Sequence, residues 1–153
     1  MKVRMEMDEN LPEEEIVIHC RELSDEIVML QRQIAEAIHG KMKLHVAKGE
    51  TAYFLDLDEV LFLETNDTKV AVHTKEQIYE TKQRLYELEE LLPGSFVRVS
   101  KSSIINVNTI RSIRKNITGA SEVEFIDSNK KTFVSRNYFK PLMSKIEEKR
   151  LKR

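Results

Sequence analysis

The sequence contains few of the residues that define several common protein classes. Among 153 residues there is one cysteine, Cys20, which excludes an internal disulfide and indicates a reducing compartment. Four glycines and three prolines are too few for a collagenous or disordered chain. No apolar run approaches the roughly 18 residues of a membrane-spanning helix, and the charged N-terminus lacks the apolar segment of a secretory signal. These absences favour a cytoplasmic globular protein. The length of 153 residues predicts one domain, or one domain plus a short attachment.

The motifs of most enzyme and metal sites are missing as well. The four glycines are too dispersed to form a loop that holds a phosphate, and no serine lies in a G-x-S-x-G context. The four histidines show no metal-ligand spacing, and the single cysteine adds none. We therefore predict that the chain is not an enzyme and has no catalytic residues, no metal site and no cofactor.

One pair of carboxylates leaves an enzymatic alternative open. Asp56 and Asp58 follow an apolar strand in a D-x-D pattern, as the nucleophile and the acid of some phosphatases do. A second apolar strand follows here, and there is no glycine turn leading into a helix. The pattern favours two carboxylates at a connection between strands over a small phosphatase.

Charge is strongly segregated along the chain, although the formal net charge is only −1. Residues 1–46 contain six Lys/Arg and ten Asp/Glu, and residues 47–95 contain five and eleven. Residues 96–153 reverse this balance with fourteen Lys/Arg and five Asp/Glu, a formal charge of +9. A basic final third on an otherwise acidic chain indicates a surface that binds a polyanion, and nucleic acid is the first candidate.

Residues 1–42 predict a strand-strand-helix segment. Val3, Met5 and Met7 alternate with charged residues, and 16–20 forms a second short apolar run. An apolar stripe at Leu23, Ile27, Leu30, Ile34 and Ile38 then predicts a helix, with Ser24 as its N-cap and Gly40 at its end. We expect this stripe to pack on the two strands, and a short coiled-coil contact between two chains is the alternative.

Residues 43–153 predict a second, mainly β unit, so the fold class is α+β. Short apolar or alternating runs predict strands near 42–46, 52–55, 60–63, 70–72, 96–99, 104–107, 110–113, 123–126 and 132–134. A helical period over 81–92 ends at Pro93-Gly94, and 138–149 predicts a closing helix with Pro141 in its first turn.

The most informative stretch is 95–108, SFVRVSKSSIINVN. It contains a strand, the polar segment Ser100-Lys101-Ser102-Ser103, an apolar pair and two asparagines. Short hydroxyl and amide side chains beside Lys101 and Arg98 suit close approach to a phosphate backbone, with longer donors reaching base edges. An ordinary β-turn with an exposed lysine would look the same in isolation.

This stretch resembles the DNA-binding domain of the LytTR family of bacterial transcriptional regulators. The resemblance covers residues 43 to about 147 and has three parts, in order and at family-like separations: LDEVLFLE at 57–64, FVRVSKSSIINV at 96–107 and FVSRNYF at 133–139. It implies an elongated fold of small antiparallel β-sheets with short helices, which inserts loops into successive major grooves of promoter repeats.

The resemblance also implies roles for individual residues. Lys101 and Arg136 match positions of base contacts, and Asn66 and Thr68 belong to a loop in the place of a third contact, although Asp67 is a poor neighbour for a phosphate. The candidates for contacts with the DNA backbone are Arg98, Ser102, Asn106, Arg114, Lys115 and Asn137.

Many members of this family carry a receiver domain ahead of the DNA-binding part, and about 42 residues are too few for one. The segment resembles that of short stand-alone regulators, often encoded beside a small membrane protein that controls them. We therefore expect a homodimeric, sequence-specific regulator that binds double-stranded DNA, with residues 1–42 supplying dimerisation or partner contacts. The competing class is a non-enzymatic, β-rich interaction module whose basic face binds an acidic protein or an anionic surface.

Overall fold

The structure is a computed structural model that describes residues 1–39 and 42–151. The chain divides into two compact units, Met1–Lys41 and Met42–Arg153, so the division lies one residue before the predicted boundary.

The first unit contains one helix, α1 (Asp25–His39). Ser24 caps it as predicted, since its Oγ accepts a hydrogen bond from the Ile27 amide at 3.3 Å. Asp25 and Glu26 occupy the first turn, where carboxylates interact favourably with the helix dipole. The predicted end of the helix, Gly40, lies outside the described residues.

The two predicted N-terminal strands are not formed. Residues 1–24 contain neither helix nor strand, and the side chains of Val3, Met5 and Met7 are almost fully exposed. Alternation alone does not make a strand, because a strand needs a hydrogen-bonded neighbour and a surface to cover one face. The expectation that α1 packs on these strands is therefore wrong as well.

The second unit is mostly β-structure, as predicted. Its described strands are β1 (Lys43–Lys48), β2 (Thr51–Asp56), β3 (Phe62–Asn66), β4 (Lys69–His73), β5 (Ile78–Thr81), β6 (Phe96–Ser100), β7 (Ser103–Asn106), β8 (Ile110–Arg114), β9 (Ser121–Phe125) and β10 (Lys131–Val134). Its helices are α2 (Leu85–Leu91) and α3 (Arg136–Leu151).

The strands form two antiparallel sheets. The larger sheet has seven strands in the order β2-β1-β5-β4-β3-β7-β6, and the smaller has three in the order β10-β9-β8. The predicted fold class is confirmed.

Two hydrophobic cores follow from the alternation of side chains along the central strands. Ile104 and Ile105 are neighbours on β7, are both fully buried, and belong to different cores. The first core includes Leu85, Leu88 and Leu92 at α2, and the second includes Val123, Phe125 and Val134 of the smaller sheet and Leu142 of α3. Because successive residues of a strand point to opposite faces, β7 is covered on both sides and its backbone is held firmly.

Three elements of the second unit differ from the prediction. Helix α2 begins at Leu85, not at residue 81, and Thr81 belongs to β5. Strand β5 was not predicted, since its four residues are too short to show a period. Helix α3 begins at Arg136, two residues before the predicted start, so Pro141 lies inside the helix instead of in its first turn.

Candidate nucleic-acid interface

Two tight turns meet at one end of the seven-stranded sheet. The β3–β4 hairpin turns at Asp67-Thr68, and β6 and β7 are joined at Lys101-Ser102. Strands β3 and β7 pair with each other, with Glu64 opposite Ser103. The Thr65 amide also donates to the Ser102 carbonyl at 2.9 Å, so the two turns are directly linked.

The corner between β10 and α3 joins the same end. The Ser135 amide donates to the carbonyl of Val99 at 2.9 Å, which places Arg136 beside the end of β6. Three segments that are far apart in sequence, 66–68, 100–103 and 135–137, thus form one surface. We call this surface the three-loop face.

The β6–β7 turn is ordered by its own serines. Ser100 Oγ accepts from the Ser102 amide at 3.2 Å and lies 3.3 Å from Ser102 Oγ. The register of β6 and β7 shifts between Arg98 and Ser100, a bulge that redirects the chain before the turn. Lys101 and Ser102 are exposed, and among the described residues no ion pair holds the Lys101 ammonium.

The other predicted base contacts are also exposed. Asn66 and Thr68 flank Asp67, whose φ of 54° is a left-handed conformation that aspartate tolerates better than most residues. Arg136 and Asn137 begin α3 and line an open concavity of about 680 Å³ together with Ser135 and Ala120.

The Arg98 side chain is bound to the protein itself, contrary to its predicted role as a contact with the DNA backbone. Its Nε donates to the Ser100 carbonyl at 2.7 Å, one Nη donates to the Lys101 carbonyl, and the other pairs with Glu89 at 2.7 Å. The side chain is 20% exposed. The guanidinium therefore holds the turn, and the prediction of a phosphate contact is corrected to a structural role.

Asn106 was also predicted to contact the DNA backbone, and that prediction is wrong. The residue is buried at 2% exposure. Its amide nitrogen donates to the Val60 carbonyl at 2.9 Å, and its oxygen accepts from the Asn108 amide at 3.1 Å. Because both the nitrogen and the oxygen of this buried amide have hydrogen-bond partners, Asn106 stabilises the connection between β2 and β3 and cannot reach a ligand.

Besides Lys101 and Arg136 of the three-loop face, a second basic group lies on and just after the strands of the three-stranded sheet. Arg114 is exposed and pairs with Glu122 at 2.6 Å, and Lys131 pairs with the same carboxylate at 2.9 Å. The hydrogen bond from Lys131, followed by that from Arg114, holds the pKa of Glu122 below its usual range. Lys115 is exposed and lies 5.2 Å from the centre of the Phe139 ring.

The β8–β9 loop is the part of this region that the sequence did not single out for contact with a ligand. Ala120 lies beside Ser135, Arg136 and Asn137 in the open concavity. Within the loop, Asn116 Oδ1 accepts from the Thr118 amide at 3.2 Å. The only available signal was a polar turn directly after Arg114 and Lys115.

A partly buried polar cluster in the second unit centres on His73, whose side chain is 10% exposed, whereas that of Glu64 is 44% exposed. Because the Lys130 ammonium can only donate, its 3.4 Å contact makes His73 Nδ1 an acceptor, and His73 Nε2–H then donates to Glu64 at 2.9 Å. Burial, more than any neighbouring charge, lowers the pKa of His73. The His73 ring stacks on Phe62 with centroids 4.2 Å apart.

The carboxylates of the phosphatase alternative have structural partners. Asp56 pairs with Lys43 at 2.5 Å, and its backbone amide donates to Glu59 at 3.1 Å, which opens a short 3-10 turn at Leu57–Glu59. Within residues 1–39 and 42–151, no three His, Cys, Asp or Glu side chains are grouped so that they could hold a metal ion.

These features define a class: a β-rich domain that presents three loops and two basic groups on its surface. Residues 50–147 match the family described as the LytTr DNA-binding domain, and the chain belongs to that family. A solved LytTr DNA-binding domain from Bacillus cereus superposes with a TM-score of 0.64 at 27% identity, covering 70% of this chain and 98% of that one. The predicted resemblance to the LytTR family is confirmed.

Curated relatives match over nearly their whole length. Uncharacterized HTH-type transcriptional regulators of Staphylococcus aureus strains bovine RF122 / ET3-1 and NCTC 8325 / PS 47 are each 28% identical over 149 residues. The match covers 95% of this chain and 98% of theirs, so it includes the N-terminal unit. Among the described residues, no helix is long and apolar enough to cross a membrane.

Proposed function

We propose that this protein is a sequence-specific transcriptional regulator that inserts the three-loop face into successive major grooves of repeated promoter sites. The observation that carries the proposal is the convergence of three distant segments, linked by the Thr65–Ser102 and Ser135–Val99 hydrogen bonds. The family membership and the names of the staphylococcal relatives support the same conclusion.

The residues of the three-loop face divide into two roles. The first role is to read base edges, where long cationic and short polar side chains discriminate between bases. It falls to the exposed residues Lys101, Arg136, Asn66 and Thr68 of the three-loop face. Ser102, Asn137, Arg114 and Lys115 contact phosphates and position the protein without reading sequence.

The regulator acts as a homodimer through α1. Ile27, Leu30 and Ile34 are half-buried on one side of this helix, while Leu23 and Ile38 are exposed. With no strands beneath the stripe, a second copy of α1 is the simplest surface to cover it, and two copies of the domain then match two DNA repeats.

A small membrane protein encoded nearby is a further partner, and the protein acts in the cytoplasm without catalysis.

A salt titration of binding to random-sequence duplex DNA tests the proposal. We expect the logarithm of the binding constant to fall linearly with the logarithm of salt concentration, by about 0.9 for each phosphate contact. Absence of binding even at low salt would contradict the proposal and favour the interaction module. Hydrolysis of a generic phosphomonoester that depends on magnesium would instead support the phosphatase.

A further inference from the structure

Behind the β6–β7 turn, one guanidinium connects the turn to α2. Arg98 donates to the carbonyls of Ser100 and Lys101 and pairs with Glu89, so all three nitrogens of its planar head have partners. The two carbonyls belong to consecutive residues, one of which is Lys101 itself. A planar guanidinium can hold two such carbonyls in fixed relative orientation, which a lysine cannot do.

Glu89 is itself held by an anchored element. It lies on α2, where Leu85 and Leu88 are buried in the first core at 4% and 0% exposure. Its carboxylate is 46% exposed and reaches Arg98 Nη1 at 2.7 Å. Helix α2 is thus anchored in the first core, Glu89 of this helix pairs with Arg98, and Arg98 binds the backbone carbonyl of Lys101. These contacts together fix the position of the turn.

We propose that Glu89 is a positioning residue for sequence reading. It holds Arg98 on the turn carbonyls, and its charge keeps Arg98 from binding phosphate at any sequence. This proposal rests on the proposed function, because it assigns a role within the same three-loop face. Loss of the Glu89 charge would convert a cation that orders the turn into a cation available to any DNA.

The test uses the full chain and two duplexes. One is selected from a random-sequence library by the unmodified protein, and the other is a scrambled sequence of the same composition. For Glu89→Gln we expect tighter binding to the scrambled duplex and a salt slope steeper by about 0.9, which increases the loss of affinity between 50 and 200 mM salt about 3.5-fold. The ratio of selected to scrambled affinity should fall roughly tenfold.

Two further variants separate the effect of the position of the turn from the effect of the Glu89 charge. Glu90→Gln removes the same charge from the next residue of α2, which is exposed, and should change neither the salt slope nor the ratio by a comparable amount. Arg98→Lys keeps the charge and the pairing with Glu89 but cannot hold both carbonyls, so the ratio should fall while the slope stays unchanged.

A measurement without DNA makes the two proposals separable. Hydrogen exchange of the Ser102 amide should be roughly tenfold faster in Arg98→Lys than in Glu90→Gln, because the turn opens more readily. Equal behaviour of Glu89→Gln and Glu90→Gln on both duplexes would overturn the role of Glu89. Unchanged exchange and ratio in Arg98→Lys would overturn the role of Arg98. Absence of binding by the unmodified protein would overturn the proposed function and the role in sequence reading together.

Discussion

Arg98 and Lys101 are three residues apart, yet one is tied to the protein and the other is exposed. From the sequence both are cations in a polar stretch, and both were predicted to contact DNA. Their difference depends on Glu89, which lies on another element and reaches Arg98 only in the folded chain. At the residue scale, exposure and hydrogen-bond partners therefore decide which of these side chains is available to a ligand.

Arg136 gives the most direct residue-scale prediction. Arg136→Ala should reduce discrimination between the selected and scrambled duplexes by about 1–3 kcal/mol, the usual value of a good base contact. Equilibrium binding to both duplexes measures this. Lys140→Ala removes an exposed cation from the same helix. It should change the affinity for both duplexes by the same factor and so leave their ratio unchanged. An unchanged ratio in Arg136→Ala would remove this residue from the base-reading set.

Asn106 should matter for stability and not for DNA contact. Asn106→Ala leaves the Val60 carbonyl without its buried donor, and we expect the free energy of unfolding to fall by about 1–3 kcal/mol. Chemical denaturation measures this change. Asn137→Ala, at an exposed position, should stay within about 0.5 kcal/mol of the unmodified protein. Equal stability of the two variants would contradict the structural role.

His73 predicts a pH dependence of stability. Because burial lowers the pKa of His73 in the folded protein, the unfolded chain binds a proton more readily below about pH 6.5. The stability that neutral His73 contributes is therefore complete above that pH and is lost as the pH falls through the lower folded-state pKa. The difference in free energy of unfolding between the unmodified protein and His73→Gln should shrink from about pH 8 to about pH 5. A constant difference over this range would show that His73 does not titrate between the two states.

At the element scale, the helices and strands that could be predicted are those with a clear hydrophobic period in the sequence. Helices α1 and α2 and nine of the strands correspond to apolar stripes or alternation. Strand β5 was missed because four residues carry too little pattern, and strands at 3–7 and 16–20 were predicted where no neighbour exists to pair with them. Local pattern reports which residues are apolar, whereas pairing is decided by distant parts of the chain.

The site was predictable in the same uneven way. The motifs located the three segments, and their meeting at one end of the sheet depends on hydrogen bonds between residues 36 or more positions apart, which no local pattern specifies. The β8–β9 loop, which reaches the same corner, carried only the signal of a polar turn.

Helix α1 gives the element-scale prediction. Ile34→Glu places a charge in the half-buried stripe and should convert a dimer to a monomer at tens of micromolar, because an apolar seam does not tolerate an unpaired charge. Light scattering measures the mass. Ala35→Glu adds the same charge at an exposed neighbouring position and should leave the dimer intact. A monomeric unmodified protein would contradict the proposed dimer.

At the scale of the whole molecule, the charge balance acquires a physical meaning. The final third, with its formal charge of +9, contributes two of the three loops, while Glu89 partly neutralises Arg98 behind one of them. Neutralised cations bind random phosphate less strongly, so the exposed ones account for a larger share of the affinity. Under the proposed function, the near-zero net charge favours discrimination between DNA sequences over strong binding to any DNA.

The measurement that tests the central claim most directly is the ratio of affinities for the selected and scrambled duplexes at physiological salt. Specific DNA-binding proteins show ratios of roughly 10³ or more, and we predict a ratio in that range, with a selected motif that recurs about one helical turn apart. A ratio near one, or a selection that enriches no sequence, would contradict the claim that this chain reads DNA through the three-loop face.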